Sequence, residues 1–203
     1  MDTEQDTFPD SPAAMMAAEV CRHFHSAALV NHCLRSYLWA TSYASANDIG
    51  FDPELLYVAA MLHDLGLVAE FDSHTVDFET AGGSVGWVFA AGAGWPADRR
   101  ARVLEIVVAH MRGQATAESD PEGYLLTVAT SLDISGLNAV AWPEVLRRNV
   151  VHRYPMLGLG EEFLAHFRDQ ASRKPDCTAA ASVRSGIAER IAANPLNASR
   201  RCR

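Results

Sequence analysis

Proline repeatedly opens and glycine repeatedly closes an alanine-rich run in this chain, and that punctuation leaves room for helices and little else. Pro53 follows Asp52 and heads PELLYVAAMLHDLG, which stops near Gly66. Aspartate at the N-cap followed by proline is favoured because the first helical N–H needs no intrahelical partner. Asp77 is placed to cap FETAGGSVGWVFAAG, GAGWP ends that run, and Pro96 opens PADRRARVLEIVVAHMRG. Pro121 opens PEGYLLTVATSLDISG, Trp142-Pro143 opens another helix, and Gly158 to Gly160 precede GEEFLAHFRDQASRK. Two helices before Ile49 and a last one over 178–193 complete the set. β-Branched residues rarely alternate with polar ones over strand lengths. The expectation is an all-α, single-domain bundle of about eight or nine helices spanning 13–193. An acidic leader (1–12) and a tail (194–203) are expected to be disordered and frayed.

Bulk properties narrow the function. A length of 203 residues suits one domain with its own core. A net charge of −8 argues against nucleic acid or an anionic membrane as the main partner, since both reward basic patches. The paired basics Arg99-Arg100 and Arg147-Arg148 read as helix-surface charge. No secretion signal or membrane span is read from the sequence, and Cys21, Cys33, Cys177 and Cys202 form no C-x-x-C pair. A cytoplasmic location with free thiols is the default expectation. The expected partner is a small-molecule substrate, with a homodimer as the base-rate oligomer.

The chemistry sits in the apolar helical stretches. His63 and Asp64 lie inside AAMLHDLGLV, where an ionised carboxylate is costly unless compensated. A buried His–Asp hydrogen bond is one solution, and a shared metal cation is another. His32 in VNHCLRSYLWA shares a helical face with Leu29 and Ser36. His110 follows Val103, Ile106 and Val107 on one apolar stripe, and Asp133 lies among Leu125, Leu126, Ala129 and Leu132. Two histidines and two aspartates balance a divalent ion in charge.

The order H…HD…D on helices resembles the HD-domain metal-dependent hydrolases. NHCLRSYLWA, LHDLGL, DFETAGG, IVVAHMRG and RYPMLGLGEEF look like the cyanamide hydratase branch, over roughly residues 25–168. The resemblance implies His32, His63, Asp64 and Asp133 as ligands of one divalent metal, zinc before iron or manganese. It implies His110 as a catalytic residue near substrate, and a position left open for water. It departs from sister branches in three ways. The acidic residue that follows the pair in HD nucleotidases is replaced by Leu65, Gly66, Leu67 and Val68. The extra histidine of two-iron HD oxygenases is absent, since Phe78 stands four before Gly82. No GYP motif is present.

Four further residues are candidates with a structural alternative each. Glu79 is read as support for a ligand histidine or as a surface carboxylate. Asn31 and His74 are read as substrate-binding or as a cap and a solvated loop residue. Phe78 is read as pocket lining or aromatic core. His23, His25, His152 and His166 are read as structural or surface residues. The function implied is addition of metal-activated water to a small nitrile such as cyanamide. The alternatives are hydrolysis of a phosphoester or of a C–N bond in a small heterocycle, and a metal-binding module without catalysis.

Overall fold

A computed structural model describes residues 8–200, with side chains through residue 197. Ten α-helices and no strand occur among the described residues. They are α1 (Pro12–Phe24), α2 (Ala27–Ala46), α3 (Pro53–Leu62), α4 (Phe78–Gly92), α5 (Ala97–Arg112), α6 (Pro121–Ser135), α7 (Glu144–Arg153), α8 (Leu159–Arg173), α9 (Thr178–Arg184) and α10 (Ile187–Ala192). The helix count rises by one because the expected last helix divides at Ser185-Gly186, where Gly186 takes φ +80°. No helix among the described residues is long and apolar enough to cross a membrane.

The caps explain most boundaries. Asp52 Oδ1 accepts from the Leu55 N–H at 3.0 Å, and Asp120 Oδ1 accepts from the Gly123 N–H at 3.0 Å. Ser11 and Ser26 do the same for α1 and α2. Asp77 stands at the head of α4 without a side-chain capping bond, and Pro96 and Pro143 are the cap residues of α5 and α7, each one position before the first helical residue.

Helix α3 is the axis of the molecule. Every residue from Leu55 to Leu62 is buried, and the helix packs against α1, α2, α4, α5 and α6. Beyond Glu54 in its first turn the helix carries no charge, and the polar pair His63-Asp64 falls just beyond its end. There the chain tightens into a 3₁₀ turn over Leu65–Leu67 that docks on the start of α4. The approach is backbone to backbone: a Cβ on Gly66 would lie 1.9 Å from the Phe78 carbonyl oxygen, and one on Gly82 would lie 3.0 Å from that of His63.

Residues near both ends of the expected domain make contacts with it. Residues 1–7 and 201–203 lie outside the described residues, but 8–11 are engaged. The Phe8 ring packs against Tyr37, Tyr57 and Tyr154 at centroid distances of 5.8, 5.6 and 6.3 Å, and Ser11 hydroxyl donates to Glu54. At the other end the Asn194 amide donates to the carbonyls of Asp133 (2.8 Å) and Ile134 (3.1 Å), and Leu196 is buried. Carbonyls at a helix end have no intrahelical partner, and this side chain supplies one.

Candidate metal centre

Three side chains from two elements converge on one point beside α6. His32 projects from α2, while His63 and Asp64 come from the turn after α3. His32 Nε2 and His63 Nε2 are 3.1 Å apart, and Asp64 Oδ2 lies 3.5 Å from the first and 3.3 Å from the second. All three residues are 1% exposed. Consecutive residues of a regular α-helix diverge by about 100°. The helix ends at Leu62, and Asp64 takes φ −98°, ψ 6°, which lets neighbours in sequence share one centre.

The second nitrogen of each ring fixes its tautomer. His63 Nδ1 is 2.8 Å from the Ala60 carbonyl oxygen, an acceptor only, so it carries the proton and donates. His32 Nδ1 is 2.7 Å from Asp133 Oδ2 and donates to it. In both neutral imidazoles Nε2 is then a bare lone pair. Two lone pairs face one another, and both oxygens of Asp64 are buried without a hydrogen-bond partner. Burial alone would raise the Asp64 carboxyl, but His63 and then His32 hold it well below the usual carboxylate range. Burial pulls the His63 imidazole down, but Asp64 outweighs it and the net shift is upward. Two lone pairs and an orphaned carboxylate leave a deficit of positive charge that a divalent cation fits.

Asp133 occupies a different place from the one expected of a ligand. It lies behind His32, and both its oxygens are engaged. Arg35 Nε donates to Oδ1 at 2.8 Å, Arg35 Nη2 to Oδ2 at 2.7 Å, and Trp39 Nε1 to Oδ1 at 2.7 Å. Burial works against its ionisation, yet the adjacent guanidinium holds the Asp133 carboxyl well below the usual range. The result is a carboxylate–imidazole pair that fixes the orientation and tautomer of His32. Arg35 and Trp39 were not among the residues singled out from the sequence. The signal was their spacing, three and seven residues after His32 on the same helix face, with a fully buried arginine in the middle.

His110, from α5, completes the inner wall. Its Nδ1–H donates to the Val107 carbonyl, and its ring meets that of His63 edge to face at 4.9 Å. Burial, followed by the His63 charge, lowers its pKa to about 3, so the ring is neutral. Phe78 backs this ring at 5.8 Å as aromatic core and does not line the cavity. Glu79 is fully buried but turned away from the ligand histidines: Thr178 donates to its Oε2 at 2.9 Å, and Arg112 Nε stands 3.7 Å from Oε1. The Asn31 amide donates to the Pro155 carbonyl at 2.8 Å and so holds a loop, and His74 is an exposed loop residue. Neither reaches the centre.

The cluster opens on a cavity of about 400 Å³. Its wall includes Thr127, Thr130 and Ser135 of α6, Phe163 and Phe167 of α8, and Ile187 beyond. The three hydroxyls give their protons to carbonyls of their own helix, at 2.7, 2.9 and 2.7 Å. With their protons committed, these hydroxyl oxygens have only acceptor capacity left. Arg112 and Arg190 stand at the same cavity, Arg112 partly exposed beside Glu79 and Arg190 donating to the Ser185 carbonyl at 2.5 Å.

An all-helical bundle that gathers histidine and aspartate around one open cation position defines a class of metal-binding helical enzymes. The HD domain family model matches residues 29–134, slightly more than half of the chain, and the chain belongs to that family. HD domains bind divalent metals, and the family is one of metal-dependent hydrolases. No match was found among curated proteins.

Proposed function

We propose that this HD-domain chain adds water to a small nitrile-type substrate such as cyanamide and gives a urea-type product. His32 Nε2, His63 Nε2 and Asp64 Oδ2 would hold the cation, with Asp133, Arg35 and Trp39 fixing the orientation of His32. A divalent ion, when bound, lowers the pKa of water from ~15.7 towards ~7 and so supplies hydroxide at neutral pH.

The chain's own residues do the rest. With its Nδ1–H committed to Val107, neutral His110 has Nε2 free to accept an N–H or O–H from the substrate and orient it. Thr127, Thr130 and Ser135 of the cavity lining have acceptor capacity to add. Phe163 and Phe167, whose rings pack at 4.3 Å, give the cavity an apolar stretch of wall. The observation that carries the reading is a cavity of about 400 Å³ shared by the cation-binding residues, neutral His110, hydroxyls already committed as donors and two phenyl rings: it suits a small neutral substrate rich in N–H.

A second reading, hydrolysis of a phosphoester, is favoured by Arg112 and Arg190 at the cavity, since guanidinium groups pair with phosphate oxygens. One assay separates the two. Purified, metal-analysed protein is given cyanamide and, in parallel, a panel of nucleotides and phosphomonoesters, each with and without chelator. Chelator-sensitive urea formation supports the nitrile reading. Phosphate release without urea replaces it by the second, and equal urea formation after complete metal removal overturns it.

A further inference from the structure

We infer that Cys21, His25 and Cys33 form a second, separate metal site for a thiophilic d10 cation. Their donor atoms all lie within 4.8 Å of one another, and Cys21 Sγ is 3.4 Å from His25 Nδ1. Both cysteines are 0% exposed and His25 is 7% exposed. None of the three lines the cavity of the HD centre, so the proposed function leaves them unused.

The geometry follows from the hairpin of α1 and α2. Cys21 lies in the last turn of α1, and His25, four residues on, stands one turn above it at the helix C-cap. Ser26 then caps α2, which returns Cys33 to the same point two turns in. Adjacent helical residues diverge by about 100°. The same helix therefore presents His32 to one centre and Cys33 to the other.

A buried cysteine alone is well explained as a small apolar side chain. A buried imidazole beside two thiols is not, because His25 Nε2 has no hydrogen-bond partner and its burial costs free energy. A metal bound at Nδ1, the nitrogen that faces Cys21 Sγ, gives the buried ring a role that packing alone does not. Each thiol loses its proton to solvent as its Sγ–metal bond forms, while the imidazole contributes a lone pair, so uptake of one ion releases two protons. Two sulfurs and one nitrogen select soft ions. Structural zinc takes four ligands in almost every case. A closed set of three favours Cu⁺, which accepts lower coordination.

The test is X-ray absorption on the full chain, loaded anaerobically under reducing conditions with Cu⁺ or with Zn²⁺. The residues proposed to hold the cation at the HD centre carry no sulfur, so sulfur scatterers that are lost in Cys21→Ser report this site. The expected result is one equivalent of Cu⁺ with sulfur neighbours, and zinc held by nitrogen and oxygen only. His25→Gln and Cys21→Ser should each weaken Cu⁺ retention against a chromophoric chelator at least tenfold. The zinc content of these variants should stay at the wild-type level, which shows that they remain folded. Sulfur around zinc at about 2.3 Å would also support the site, with zinc as its ion. Absence of sulfur scatterers in both arms overturns the inference. So does formation of a Cys21–Cys33 disulfide on mild oxidation with no metal uptake in the reduced chain.

Discussion

His32 and His63 point the lone pairs of their Nε2 atoms at each other across 3.1 Å, because the other nitrogen of each ring is committed as a donor. Between neutral rings that contact is repulsive, and only a cation or a proton, which Asp64 favours on His63, relieves it. Removing one side should therefore abolish tight binding. His63→Ala is expected to lose its metal and at least about a hundredfold of any turnover, more than the 10–100-fold typical of outer-shell partners. His110→Ala should retain the metal and lose turnover. Elemental analysis beside the activity assay checks both, and metal loss in His110→Ala would move that residue into the ligand set.

Asp133 and Arg35 act on the centre through His32. Asp133→Asn cannot accept from His32, Arg35 and Trp39 together, so the imidazole loses its fixed tautomer. Metal affinity should fall about 10–100-fold, measured by competition with a chelator. Arg35→Met leaves the carboxylate buried without its cation and should cost about 3–5 kcal/mol in denaturant unfolding of the metal-free protein.

Gly66 tests the backbone contact that seats the His-Asp turn. A methyl group there would meet the Phe78 carbonyl at 1.9 Å. Gly66→Ala should lose roughly 3 kcal/mol or more of stability, because the neighbour is main chain and cannot rotate away. Gly50 is the control: nothing lies within 4 Å of its Cβ position and its φ is not positive. Gly50→Ala should be neutral or stabilising by up to about 1 kcal/mol.

His110 gives the metal-free protein a definite pH signature. Burial and the nearby His63 charge lower its pKa to about 3 in the folded chain, against an ordinary value of 6.5. Between these values the unfolded chain binds the proton and the folded chain does not. The contribution of this group is therefore fully present above about pH 6.5 and is lost as pH falls towards 3. At 1.36 kcal/mol per pKa unit, the loss is at most about 5 kcal/mol. His110→Phe should flatten this part of the stability–pH curve, and an unchanged slope would place the acid sensitivity elsewhere.

The helices and the centre differ in how much of them could be read from sequence. Pro53, Pro121 and their preceding aspartates signal helix starts through local chemistry, and the structure has them there. His63 and Asp64 stood out because an apolar run makes a charged pair conspicuous. Asp133 was legible as a buried carboxylate, but its position behind His32 depends on ring orientation and on Arg35, a contact made 98 residues apart in sequence. Glu79, Asn31 and His74 had motif-like surroundings, yet Glu79 and Asn31 are claimed by Thr178 and Pro155, far off in sequence, and His74 by solvent, which a spacing argument cannot foresee. Phe163 and Phe167 went unnoticed because a stripe of aromatics looks the same whether it lines a cavity or fills a core.

The donors to the cation all fall inside residues 29–134, whereas Phe163, Phe167, Ser182, Ile187 and Arg190 of the cavity wall come from beyond that stretch. Part of the selectivity is thus written in a different length of the gene from the reactivity. Random substitution confined to the later length can screen for new substrates while the earlier one stays untouched, and recombination between relatives could exchange the two as cassettes.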